Sequence, residues 1–154
     1  MGLFMAVDND SLPSDTLPDD VLLNKAATIE RCIHRALEEY NKNPATFASD
    51  FTRQDAAILN IQRACEASLD MGQHLIRKHK LGVPQSSRDV FTLLATADFI
   101  PAELSENLKK MIGFRNIAVH EYQRLQLAVT EHVILHRLED FQQLCRILLR
   151  EQQS

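Results

Sequence analysis

Apolar residues in this chain recur at three- and four-residue steps over long stretches, the spacing of one buried face on an α-helix. Leu22, Ile29, Cys32, Ile33, Ala36, Leu37 and Tyr40 mark a first helix beginning near Leu17, with Pro18 suited to its opening turn. Asp19 and Asp20 favour the positive end of its dipole, and Asn41–Pro44 stops it. A second stripe, Ile58, Ile61, Cys65, Leu69, Gly72, Leu75 and Ile76, predicts a helix from near Thr52, where Thr52 and Asp55 have capping-box spacing. That helix runs about 27 residues, roughly 40 Å at 1.5 Å per residue. Leu81-Gly82-Val83-Pro84 should end it, with Gly82 as the left-handed cap.

Ser86 and Asp89 form another capping box ahead of a short helix over 90–97. Pro101 opens a fourth helix carrying Leu104, Leu108, Met111, Ile112 and Val119. The last spans about 127–151 through Ile134, Leu138, Phe141, Cys145 and Leu148. No stretch alternates with period two for long enough to make a strand. The pattern predicts an all-α protein: an antiparallel four-helix bundle with one short additional helix. Residues 1–16, rich in Asp, Ser and Pro after Met5, read as a disordered tail, and 17–154 as one helical domain.

Composition narrows the function. With 154 residues the chain is long enough for one core and short for two. Its net charge of −4 gives no general attraction to nucleic acid, so an RNA-directed function needs a local basic patch. Arg77-Lys78-His79-Lys80 and Lys109-Lys110 are the densest basic runs, though each also suits a solvated helix surface. Cys32, Cys65 and Cys145 lack metal-ligand spacing and read as buried reduced thiols, consistent with a cytoplasmic protein. The start of the chain lacks the pattern of a signal peptide or a myristoylation site, and no apolar run is long enough to span a membrane.

The chemistry concentrates in Arg115-Asn116-Ile117-Ala118-Val119-His120-Glu121-Tyr122. A permanent cation and a titratable imidazole five residues apart suit a phosphodiester, one stabilising charge and the other moving protons near neutral pH. On an uninterrupted helix they would differ by about 140° in azimuth. Either the helix ends or bends between them, or the partner groups come from a second subunit. The polar run after Val119 favours an end there, which puts Arg115 in the last turn. A last-turn Arg that merely satisfies terminal carbonyls is the plainer alternative, as is a half-buried Tyr122 with a hydrogen-bonded hydroxyl.

Other clusters carry less. Glu66, Asp70 and His74 share one face of the second helix, as metal ligands or as the lining of a cleft between subunits; the former lacks a matching set elsewhere. His132 and His136 have zinc spacing without a third ligand. Neither set is assigned a role, and no metal or cofactor is expected.

The segment Gly113-Phe114-Arg115-Asn116-Ile117-Ala118-Val119-His120-Glu121-Tyr122, preceded by Leu108-Lys109-Lys110-Met111, resembles the signature of the HepT-like branch of the HEPN superfamily. Ile61–Ala67, Pro84–Phe91 and Leu138–Phe141 fit the same branch in the same order, and the likeness spans roughly residues 20–150. The resemblance implies a ribonuclease toxin of a type VII toxin–antitoxin system, paired with a minimal nucleotidyltransferase antitoxin. It implies a homodimer whose two Arg–His motifs line one cleft and which cuts RNA without a metal. Carried over by position, Arg115 and His120 are catalytic, Asn116 positions the substrate, and Tyr122 is the residue that the partner AMPylates to neutralise the toxin. A non-catalytic helical dimer that binds nucleotide or a nucleotidyltransferase, with Tyr122 still modified, is the alternative. A helical scaffold whose polar cluster only caps a helix is a third.

Overall fold

Asp19 begins the described chain and fixes the geometry of the first helical pair. A computed structural model describes residues 19–153, with side chains through Arg150. The expected tail over 1–16, like Leu17 and Pro18, lies outside the described residues. One oxygen of Asp19 accepts the amides of Val21 and Leu22, at 3.1 and 3.2 Å, and so caps helix α1 (Asp20–Asn41). The other oxygen meets His74 at 2.7 Å and Lys78 at 3.2 Å, both near the end of α2 (Phe51–His79). At the opposite end, Arg53 of α2 donates to the carbonyls of Glu39, Tyr40 and Asn43 and to Thr46, across a 3₁₀ turn (Pro44–Ser49). Start therefore meets end twice, and the two helices run antiparallel.

Helices α3 (Ser87–Thr96) and α4 (Ala102–His120) form a second pair. They are joined by Ser105 donating to the Phe91 carbonyl at 3.0 Å and Arg88 reaching the Lys109 carbonyl. The chain then makes a 3₁₀ turn (Tyr122–Arg124) and closes with α5 (Leu127–His132), a π-helical segment (Val133–Arg137) and α6 (Leu138–Gln153). The expected all-α bundle, with α3 as its short extra helix, is what forms. One contiguous core unites it, with Ile29, Ile61, Met71, Leu75, Phe91, Leu108, Ile112 and Phe141 almost wholly buried.

Several local expectations are corrected. Helix α2 is capped by Asp50, whose carboxylate accepts the Arg53 amide, and not by Thr52 and Asp55. The left-handed cap that ends it is Lys80 (φ 54°), where the Leu81 amide turns back to the Ile76 carbonyl; Gly82 follows with its own positive φ. Helix α4 ends at His120, within one residue of the expected end near Val119, so no end or bend falls between Arg115 and His120; Val119 is exposed while Phe114 and Ala118 complete the buried face. The final helix is interrupted by the π segment. Cys32 and Cys65 are buried free thiols, whereas Cys145 is only partly covered.

Candidate functional site

The Ser86 cap places the first residue of the site. Its side chain accepts the Asp89 amide, and Asp89 in turn accepts the Gln85 amide, so the entry to α3 is fixed reciprocally. That presents Ser87 in the first turn, where its hydroxyl accepts from Arg115 Nη2 at 3.0 Å. Arg115 Nε lies 3.3 Å from Glu66 Oε1 of α2, an ion pair without a well-aligned hydrogen bond at that buried nitrogen. The guanidinium side chain is only 14% exposed. Gly113 completes the arrangement, since a Cβ there would stand 2.9 Å from Arg88 Nη2.

His120 lies in the last turn of α4 and is exposed; Glu121 is the cap, its amide bonding the Ile117 carbonyl. Because α4 is uninterrupted, Arg115 and His120 diverge by about 140°, and one copy of the chain does not aim them at one point. Asn116 is four residues before His120 and shares its face, a relation that the sequence offered and that the Arg–His spacing obscured.

Tyr122 sits on the 3₁₀ turn just beyond. Its hydroxyl donates to Asp55 of α2, while the residue as a whole stays 42% exposed. Burial, the hydrogen bond to Asp55 and the charge of Asp55 together push the phenol up to about 12, so it is neutral at physiological pH. Asp55 and Glu66 are eleven residues apart on α2, which places them on one stripe, about 20° apart in azimuth and roughly 16 Å along the axis. One outer face of α2 thus holds both the motif Arg and the motif Tyr. The sequence marks Asp55 only as a capping partner and gives Ser87 and Glu66 no link to Arg115, because such long-range pairs leave no periodic trace.

The Glu66–Asp70–His74 stripe is taken up by separate ion pairs, with Arg115, Lys25 (2.9 Å) and Asp19 respectively. Among the described residues no group of three or more His, Cys, Asp or Glu side chains stands close enough to hold a metal ion. The His132 and His136 rings lie 5.0 Å apart on the surface, and His132 borders a groove of 870 Å³ between α4 and the α5–π segment. Lys110, Arg124 and Arg137 also line that groove. Of the basic runs, Lys110 therefore faces it, Lys109 pairs with Glu106, and Lys78 and His79 serve contacts at the far end of α2. No described helix is long and apolar enough to cross a membrane.

An all-helical bundle that carries Arg115, Asn116, His120 and Tyr122 at the end of one helix has the architecture of a HEPN-type protein. The chain belongs to the HepT-like family: the family model described as "Ribonuclease HepT-like" matches residues 29–148. It is 52% identical over 133 residues to the mRNA nuclease HepT of Shewanella oneidensis, covering 86% of this chain and 99% of that one. Among solved structures it is similar to the tri-AMPylated HEPN toxin of Shewanella oneidensis in complex with MNT antitoxin, at TM-score 0.81 and 52% identity over 84% of this chain and 97% of that one. A toxin–antitoxin structure with AMP-PNP matches at TM-score 0.82, with 52% identity and coverage of 84% and 98%.

Proposed function

We propose that this protein is a metal-independent endoribonuclease, the toxin of a toxin–antitoxin pair, which a minimal nucleotidyltransferase silences by AMPylating Tyr122. The observation that carries the reading is the placement of half-buried Asn116 and exposed His120 on one face of the last turns of α4, with Arg115 held in place by Glu66 and Ser87. It is supported by similarity to an mRNA nuclease and to a tri-AMPylated toxin bound to its antitoxin. Residues 17–154 act as one domain, in the cytoplasm.

Chemistry follows from the groups present. His120 takes the proton of a ribose 2′-hydroxyl or gives one to the departing 5′-oxygen. The 2′-oxygen attacks phosphorus, leaving a cyclic phosphate, so deoxy substrates resist. Arg115 offers two parallel N–H groups to the crowded, doubly charged phosphorane. Asn116 orients the substrate. The 140° divergence makes the site shared: Arg115 of one copy works with His120 of a second across a twofold axis. Lys110, Arg124, His132 and Arg137 along the groove supply the phosphate contacts that a net charge of −4 withholds.

Incubation of RNA with the protein in excess EDTA tests this. Arg115→Ala and His120→Ala should each lose ~100-fold or more in cleavage while remaining folded and dimeric. Mixing the two variants under subunit exchange should recover activity that neither has alone. Cleavage undiminished in either variant, or no recovery despite demonstrated exchange, overturns the shared site. The lock of Arg115 on Glu66 favours one second reading, a non-catalytic dimer that binds nucleotide or a nucleotidyltransferase. It predicts no cleavage by the wild type and intact modification of Tyr122.

A further inference from the structure

We propose that Asp55 is the proton acceptor for nucleotidyl transfer to Tyr122, and that α2 thereby supplies a catalytic group to the reaction that switches the protein off. The proposal rests on the reading of Tyr122 as the modified residue and adds to it the group that activates the phenol.

The placement of Asp55 invites an explanation. Asp is a poor residue for a helix interior, because its short carboxylate competes with the backbone for hydrogen bonds. Here it stands in the second turn of α2, and the capping task belongs to Asp50 instead. Its recorded contact is with a residue 67 positions away, the Tyr122 hydroxyl, which donates to Asp55 Oδ1. The donor is equally well fixed. The 3₁₀ turn pins Tyr122 through the Arg124 amide on the Glu121 carbonyl and the Leu125 amide on the Tyr122 carbonyl, at 2.8 and 3.0 Å. The flanking charges, Glu121 and Arg124, pair with each other. Tyr122 is 42% exposed, so the residue is open to solvent rather than enclosed in the core.

A phenol in this setting needs a base. Burial and the neighbouring carboxylate hold it up to about 12, so phenolate is roughly one molecule in 10⁴–10⁵ near pH 7.5. The carboxylate that disfavours free phenolate is also the group already bonded to the departing proton. In the step, a lone pair on Tyr122 Oη attacks the α-phosphorus of ATP and the bond from that phosphorus to the bridging oxygen of the β-phosphate breaks. Pyrophosphate leaves with that electron pair. The O–H pair stays on the tyrosyl oxygen while the proton passes to Asp55 Oδ1, giving a tyrosyl–AMP diester and a neutral carboxylic acid. Atoms and charge balance, with the nucleoside triphosphate as the other reactant.

The experiment uses the full chain, its nucleotidyltransferase partner, and ATP with magnesium, followed under single turnover by intact mass from pH 6 to 9. Wild type should gain AMP, and Tyr122→Phe should not. Asp55→Asn keeps an acceptor oxygen but not its basicity, and should slow the first addition ~100-fold at pH 7. That deficit should shrink as pH rises, because solution base takes over on a phenol freed from the carboxylate. Asp55→Glu should recover part of the rate, and guards against a folding defect in Asp55→Asn. A rate for Asp55→Asn within twofold of wild type overturns the proposal alone and leaves the Tyr122 reading standing. A deficit equal at every pH assigns Asp55 to holding the ring in place and also overturns it. Absence of any mass gain on wild type overturns the Tyr122 reading, and the role of Asp55 with it.

Discussion

At Gly72 helices α2 and α3 pack in close contact, and replacing it with alanine tests how tight that contact is. A Cβ at position 72 would stand 2.4 Å from Val90 Cγ1 and 3.3 Å from Leu94 Cδ1. Carbon atoms are at ease about 3.5–4.0 Å apart, so the overlap with Val90 exceeds ~1 Å. Val90 cannot swing aside readily: it is fully buried and β-branched, with one strongly preferred rotamer in a helix. Relief must come from moving α3 as a body. Overpacking of this kind costs about 3 kcal/mol at its upper end. Alanine returns about 1 kcal/mol of helix propensity, leaving a net loss of about 2 kcal/mol. Gly113→Ala is the control. There the new methyl meets only Arg88 Nη2, the far end of a flexible side chain, at 2.9 Å, and the propensity gain of about 0.5–1 kcal/mol should survive. Urea unfolding followed by circular dichroism, at one fixed protein concentration, reads both. The damage should also reach function, because α3 carries Ser87 to Arg115. If Gly72→Ala proves as stable as wild type while Gly113→Ala shows its gain, the close approach of α2 and α3 is wrong.

Three further predictions concern the supports of the fold. Asp19→Ala should cost about 1–2 kcal/mol near neutrality, because it removes both a helix cap and the partner of His74 and Lys78. Burial raises the Asp19 carboxyl, but hydrogen bonds from His74, the Leu22 amide and Lys78, with the charge of His74, outweigh it and hold it below 3.8. A depressed carboxyl stabilises the fold above its unfolded value and stops doing so as pH falls through its folded one, so the gap between variant and wild type should narrow below pH 3.8. A gap that persists unchanged in acid contradicts this. Arg53→Ala removes the donors to the Glu39, Tyr40 and Asn43 carbonyls and to Thr46, and the cation over Phe47, 5.6 Å from the ring centre, and should cost about 2–3 kcal/mol in thermal unfolding. An effect below ~0.5 kcal/mol would show that the turn holds itself. Burial raises the thiols of Cys32 and Cys65 and pushes Cys145 up to about 12, so native protein near pH 8 should resist iodoacetamide by intact mass while unfolded protein takes up three groups. Rapid labelling of the native chain refutes it.

The helices were legible because burial imposes a period. Leu22, Ile29, Ile33, Ile61, Leu75 and Leu108 are core in the structure for the reason that they recur at helical steps in the chain. Ends were less legible because they are decided by backbone geometry that several residues can satisfy. Asp50 and Thr52 both suit a cap, and Asp50 prevails because the 3₁₀ turn over 44–49 delivers the chain to it in an extended conformation. Lys80 takes the left-handed position although Gly82 suits it better by type, since the Leu81 amide finds the Ile76 carbonyl two residues sooner. The end of α4 is legible to within one residue, since apolar periodicity is lost after Val119 and the helix stops at His120, but that one residue decides which way His120 points.

That distinction bears on the candidate site as a whole. A helix ending at Val119 would have let His120 fold back toward Arg115 within one chain; a helix running through His120 sends them apart and leaves α2 to organise what one copy holds. Its outer stripe gives Glu66 to the cation and Asp55 to the phenol, about three turns apart. Under the proposed reading, AMPylation acts on both ends of this arrangement. The modified tyrosyl oxygen has no proton to donate, so the bond to Asp55 is lost, and a phosphodiester anion now stands beside a carboxylate. Repulsion turns the nucleotide away from that carboxylate. On that reading the modification carries bulk and negative charge into the motif region, where it competes with RNA phosphate.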